Sequence, residues 1–235
     1  MSRLDKHNTI NDWVKEKMIR TELFRELDID SCCGGEQTLQ DACLEKGLDS
    51  DVVMERLSRI DDEKADCHTT DWTSLPLQEL VDHIESTHHA FLRRAIPSLS
   101  GLVEKVAQVH GERHPTLIQL KSAVSELFSD LQSHLMKEEQ VLFPMIRNMN
   151  GEAPAGEFSC SGGFQGPLSV MRYEHDVAKR LLEKINQLTD NYKMPSDGCE
   201  TYRQMLDGLK EFELDLHTHI HKENEVLFPG VQDLG

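Results

Sequence analysis

The sequence predicts an all-α protein: an up-down four-helix bundle preceded by a small three-helix domain. Three observations predict it. Apolar residues recur in steps of three and four along every long stretch, the period of a helix and not of a strand. Gly, Pro and Ser punctuate the chain where one helix must stop and the next must start. The phrase HLMKEEQVLFP, beginning at His134, returns as HIHKENEVLFP at His219, 85 residues later, so part of the chain reads as a duplication.

Residues 1–62 form the small domain. Ile10, Trp13, Val14 and Met18, then Leu23, Phe24 and Leu27, sit at helical spacing. Gly34-Gly35 interrupts the pattern after Cys32-Cys33. Thr38 opens a second helix, with Asp41 placed to complete a capping box. Gly47 stops it, and Ser50 opens a third helix carrying Val53, Leu57 and Ile60. Cys32 and Cys33 admit two readings. A helix start and two glycines lie just downstream, and both favour thiolate, which makes a reactive or metal-binding pair. Alternatively, they are two small residues in a tight turn. Residues 63–74 are polar and aperiodic and read as a linker, in which the Cys67-His68 pair is incidental.

Residues 75–235 carry the bundle. Helix A starts near Leu77, with the stripe His89, Leu92, Ile96, Leu99, Val103, Val106, His110; Pro97 should kink it. Helix B starts at Pro115 and carries Leu117, Leu120, Val124, Leu127, Leu131, His134, Glu138, Val141 and Met145. A loop runs from about 150 to 167. Helix C carries Leu168, Met171, His175, Ala178, Leu182 and Ile185, and stops before Pro195. Helix D carries Leu206, Leu209, Phe212, Leu216, His219, Glu223 and Val226, and ends at Pro229-Gly230.

The phase of these stripes carries the chemistry. His134 with Glu138, and His219 with Glu223, are i,i+4 pairs on one helix face. They stand on the apolar stripe, where Leu or Val belongs, as do His89 and His175. An uncompensated buried carboxylate costs several kcal/mol even after relaxation. Four His and two Glu on four core-facing stripes therefore need a partner, and a bound cation supplies one. The duplication extends to this set, because His89 and His175 stand 86 residues apart. The same offset pairs His88 with Glu174, which selects His89 over His88 as the ligand. Six such ligands exceed one tetrahedral zinc. They suit two octahedral ions, each with two His, bridged by Glu138 and Glu223; mixed N/O ligation points to iron, with manganese as competitor. His110 lies 21 residues beyond His89, about 31 Å along a straight helix. That makes it an access or capping residue. His83, His88, His114, His217 and His221 read as structural or solvent-facing.

Composition excludes several classes. The formal net charge of −17 argues against nucleic acid and against anionic lipid as partners. No stretch approaches the ~20 apolar residues of a membrane span. The start, MSRLDKHNTINDW, lacks the apolar segment of a secretory signal. Six Cys in 235 residues do not make a disulfide scaffold, and a cytoplasmic protein is expected.

These residues resemble a known family. The bundle is similar to a hemerythrin-like domain, and the whole chain resembles the repair-of-iron-centres family. The likeness rests on IDSCCGG and TLQDACLEKGLD in the first domain. In the bundle it rests on HPTL, SHLMKEEQVLFPMI, PLSVMRYEHD and HIHKENEVLFP. The resemblance implies a non-haem di-iron centre of two iron ions held by His89, His134, Glu138, His175, His219 and Glu223, with the family's double-Cys motif at Cys32 and Cys33. It implies repair of iron–sulfur clusters damaged by nitrosative or oxidative stress, by supplying iron or handling nitric oxide. The partners are then damaged iron–sulfur proteins, with nitric oxide or oxygen as small ligands; a homodimer is one assembly the sequence allows. A sensor of oxygen, nitric oxide or iron, and a nitric oxide reductase, are the alternatives. The chain departs from oxygen-carrying hemerythrins at Lys179, where their third ligand helix has a second His, and in ending on HxxxE instead of HxxxxD. The departure disfavours reversible oxygen carriage.

Overall fold

The computed structural model describes residues 4–16, 20–27, 29, 36–63, 72, 75–149 and 163–234. It divides into two compact units, Met1–Asp71 and Trp72–Gly235. Among the described residues all regular structure is helical, apart from one isolated bridge between Thr9 and Thr38.

In the first unit, Thr9 opens α1 (Ile10–Glu16) with a reciprocal capping box. Its Oγ1 accepts from the Asp12 N–H at 3.1 Å, and the Asp12 carboxylate accepts from the Thr9 N–H at 3.0 Å. The periodicity that predicts one helix across residues 10–27 is described as α1 and α2 (Arg20–Glu26), with residues 17–19 outside the description. Thr38 caps α3 (Leu39–Glu45) through the Asp41 N–H. Gly47, at φ +66°, ends α3: the Leu48 N–H reaches the Cys43 carbonyl and the Gly47 N–H that of Leu44. This 6→1 and 5→2 pairing needs a left-handed residue, which Gly provides at low cost. The cap of α4 (Ser50–Glu63) is Asp49 and not Ser50, because the Asp49 carboxylate accepts from the N–H groups of Asp51 and Val52. Ile10, Trp13, Leu23, Phe24, Leu39, Cys43 and Leu57 form the core of this unit. Cys32, Cys33, Gly34, Gly35, Cys67, His68 and Cys160 all lie outside the described residues.

The second unit contains the four long helices. The first is α5 (Leu77–Ile84), a π turn over Glu85–His89, and α6 (Ala90–His110). The second is α7 (Thr116–Lys137), a π turn over Glu138–Leu142, and α8 (Phe143–Arg147). The third is α9 (Gln165–Leu188), without a π turn. The fourth is α10 (Glu200–Lys222), a π turn over Glu223–Leu227, and α11 (Phe228–Leu234). Backbone stays in the right-handed helical region across the junctions of the first two helices and from α10 into its π turn, so those helices run on. α7 packs on α9 and α6, and α6 packs on α10.

The π turns shift the register that apolar periodicity predicts. Each is closed by a bond five residues back: Ala90 to the Glu85 carbonyl, Phe143 to Glu138, Phe228 to Glu223. Such a turn takes in an extra residue, so the apolar stripe beyond it moves on by one position. Val141 and Val226, expected in the core, are 44% exposed and half-buried respectively. Leu142, Ile146, Leu227 and Val231 take the buried places. Pro229, expected as a helix stop, is passed through by α11, and Pro144 likewise lies within α8. They follow directly on the π bond, where the regular α pairing is already diverted and a missing N–H costs little. Pro97 likewise sits inside α6. α9 begins at Gln165, before Pro167, because the first turn of a helix has no internal use for that N–H.

The bundle core is divided. A large cluster, including Leu92, Leu99, Leu120, Leu127, Leu182, Leu209 and Phe212, fills one stretch of the bundle. A second cluster, including Leu80, Ile84, Phe143, Ile146, Leu168, Leu227 and Phe228, fills another. The polar belt described next belongs to neither.

Candidate metal centre

Six buried polar side chains come together: His89, His134, Glu138, His175, His219 and Glu223 are each 3% exposed or less. They come from the helices running through α6, α7, α9 and α10. They form two sets of four, His89 Glu138 His219 Glu223 and His134 Glu138 His175 Glu223, in which one ligand atom from each residue lies within 4.8 Å of the others. Both carboxylates belong to both sets. His89 closes one π turn, and Glu138 and Glu223 open the other two. Local widening of a helix is a recurrent way of aiming a functional side chain.

Proton accounting shows what this belt requires. His89 Nδ1 lies 2.7 Å from Glu139 Oε1, and His134 Nδ1 lies 2.9 Å from Glu174 Oε2. A carboxylate only accepts, so each Nδ1 carries the hydrogen and each Nε2 presents a lone pair inward. His175 Nδ1 faces Asn224 Oδ1 at 3.0 Å, with the same consequence. The inward Nε2 atoms of His134 and His175 then stand 3.1 Å apart, lone pair against lone pair. Around them lie carboxylate oxygens: Glu138 at 3.2 Å from His134 and 3.4 Å from His89, Glu223 at 3.0 Å from His175 and 3.1 Å from His219. Among the described residues, His89 Nε2, both Glu138 oxygens and Glu223 Oε2 have no hydrogen-bond partner of proper geometry.

Only cations relieve such a cluster of acceptors. Without metal the cations are protons. Burial depresses His134, but the Glu138 carboxylate overrides it and raises the imidazole to about 10. His89 is raised for the same reasons against the same burial. Burial and the neighbouring Glu223 push Glu138 up, yet His134 and His89 hold it below the ordinary carboxylate range; Glu223 falls well below it through His219 and His175. The same lone pairs suit one or more metal ions. The donor set is hard oxygen and imidazole nitrogen, with no thiolate among the gathered residues.

Three residues around the belt escaped the sequence reading: Glu139, Glu174 and Asn224. Glu139 also pairs with Arg93, and Glu174 with Lys137. The hydrogen bond from His134, and then Lys137, hold Glu174 down to about 2. Their signal was present, since Glu139 and Asn224 follow the two repeated Glu by one residue. A small groove of about 20 Å³ lined by Asp130, Leu131, His134, Glu174, His175 and Ala178 reaches the belt between α7 and α9.

The remaining histidines divide. His88, expected to be structural or solvent-facing, is 3% exposed, with Nδ1 2.9 Å from Asp215 and Nε2 2.9 Å from the Lys222 ammonium. Lys222 also reaches His83 at 2.8 Å and lies over the Trp72 ring. Burial lowers this lysine to about 8. His110 is the last residue of α6, which Gly111 caps, and its Nε2 contacts Cys199 Sγ at 3.3 Å. His114 sits nearby, paired with Asp197.

Comparison with known proteins agrees with this geometry. The family described as Hemerythrin HHE cation binding domain matches residues 77–231. A Domain of Unknown function (DUF542) matches residues 6–61. The chain is similar to the probable iron-sulfur cluster repair protein of Haemophilus influenzae, 39% identical over 211 residues, 90% of each chain. It is similar to iron-sulfur cluster repair protein YtfE of Musicola paradisiaca, 39% identical over 89% of each chain. It is also similar to that of Enterobacter sp. (strain 638), 41% identical over 88% of each chain.

Proposed function

Because the chain belongs to the family of iron–sulfur cluster repair proteins with a hemerythrin HHE cation-binding domain, we propose that it restores iron–sulfur clusters damaged by nitrosative or oxidative stress, using a di-iron centre. The observation that carries this reading is the convergence of four imidazoles and two carboxylates from four helices into two overlapping buried sets of ligand atoms.

His89, His134, His175 and His219 would supply imidazole nitrogen to two ions, and Glu138 and Glu223, which belong to both sets, would supply carboxylate oxygen to each. Two bound irons supply a redox couple and a store of iron that can be passed to a damaged cluster. The residues of this chain do the rest. Glu139, Glu174 and Asn224 hold the Nδ1 protons of three imidazoles and so keep each Nε2 aimed inward. Phe143 and Phe228 stack against His89 and His175 and keep water from that side. Cys32 and Cys33 contact the client, or exchange iron or a nitrosyl group with it. The clients are iron–sulfur proteins.

The test is repair of a nitric-oxide-damaged hydratase cluster by the purified protein. Glu138→Leu and Glu223→Leu remove the bridging oxygens and should abolish repair. Variants that repair as well as the parent would exclude an iron-donating centre at this belt. Cys32→Ser with Cys33→Ser should leave bound iron unchanged and slow its transfer.

A further inference from the structure

The duplication that builds the belt fails at one position, and the failure falls on one of the two ligand sets. His89 and His175 are equivalent, and Glu139 and Asn224 serve them equivalently. His134 and His219 are also equivalent, but only His134 has a partner on its outer nitrogen, Glu174. The residue matching Glu174 is His88, whose own hydrogen bonds go to Asp215 and Lys222. Its ring stacks on His219, 5.4 Å between centroids and 2° from parallel. His219 Nδ1 is buried and has no hydrogen-bond partner among the described residues. His134 thus meets a carboxylate directly, whereas His219 meets the face of an imidazole whose own hydrogen bonds go to Asp215 and Lys222.

An acceptor on the outer nitrogen fixes the tautomer of a metal-ligating imidazole and raises its basicity. Losing one costs roughly 10–100-fold in metal affinity. We infer that the two metal positions are unequal: the ion at His134 and His175 is the retained one, and the ion at His89 and His219 is the exchangeable one. This inference rests on the metal-centre reading above and assigns the transferable ion to one side of it. Glu138 and Glu223 belong to both ligand sets, so losing the exchangeable ion would leave the other with its two imidazoles and both carboxylates.

The experiment is an anaerobic titration of the metal-free full-length chain with ferrous iron, repeated with Co²⁺, followed by equilibrium dialysis and metal analysis. The parent should fill in two steps separated by roughly 10–100-fold. His88→Glu places a carboxylate where the duplication predicts one, beside Lys222, and should tighten only the weaker step by about tenfold. Glu174→Ala should weaken only the tighter step, so that the two converge. Circular dichroism confirms that each variant is folded. Two equal affinities in the parent overturn the inference, as does a His88→Glu variant whose weaker step is unmoved while Glu174→Ala weakens both steps alike. A parent that binds no metal, or that binds it undiminished in Glu138→Leu with Glu223→Leu, overturns the underlying reading as well and is distinct from either result.

Discussion

Which ring nitrogen holds the proton decides what each histidine offers to the interior. Glu139, Glu174 and Asn224 set that choice for His89, His134 and His175. Glu174→Gln keeps a hydrogen bond to His134 but removes the charge, so metal affinity should fall roughly 10-fold, measured by competition with a chelator. The same carboxyl predicts an acid dependence. Its value in the folded chain is depressed from 4.5 to about 2, so its contribution is complete above 4.5 and is lost as the pH falls toward 2. In the metal-free protein, the difference in melting temperature between the parent and Glu174→Gln should close over that window. A difference that persists at the acid end would assign it to shape instead of charge. Thiols give an independent check at this scale. Burial, then the Asp49 carboxylate, raises Cys43 above the ordinary thiol value, whereas Cys199 is exposed. An alkylating reagent should label Cys199 in the native protein and reach Cys43 only after denaturant is added.

Helix registers follow from the π turns. Beyond Glu138 the buried face passes to Leu142 and Ile146, leaving Val141 in solvent. Leu142→Ala should therefore cost about 2–5 kcal/mol, whereas Val141→Ala should stay within about 0.5 kcal/mol. Chemical denaturation of the two variants measures both, and the reverse order would restore an uninterrupted α-helix. Here lies the limit of what could be read in the residues. Steps of three and four brought out His134, Glu138, His219 and Glu223 because these stand where Leu belongs, and the 86-residue offset added His89 and His175. The π turns left no such mark. One inserted residue changes the phase only downstream, where VLFP reads equally as an apolar stripe or as a helix stop. Glu139 and Glu174 were missed because a half-buried carboxylate with a cation beside it looks, in one dimension, like any solvated helix face.

At the scale of the whole chain, the polar belt separates two apolar clusters of the bundle unit. Buried Glu138 and Glu223 repel one another there, and only protons or metal offset that. A ligand that binds the folded state alone stabilises it by mass action, about 2.7 kcal/mol at a hundred times its dissociation constant. Chelation should therefore lower the melting temperature of the bundle by several degrees, and the loss should reverse when iron is returned. Described helices leave no candidate for a membrane span, since none is long and apolar enough to cross one. The bundle architecture was legible from periodicity and duplication. Cys32 and Cys33 lie outside the described residues, and their part in repair is for the transfer assay to decide.

The most direct measurement is the metal itself. Protein purified anaerobically should contain about two iron ions per chain, by elemental analysis. Mössbauer spectroscopy should show them as a coupled, non-haem pair with nitrogen and oxygen ligation. The pair should be lost in the Glu138→Leu, Glu223→Leu double variant. A single zinc, or iron that survives the loss of both carboxylates, would contradict the account.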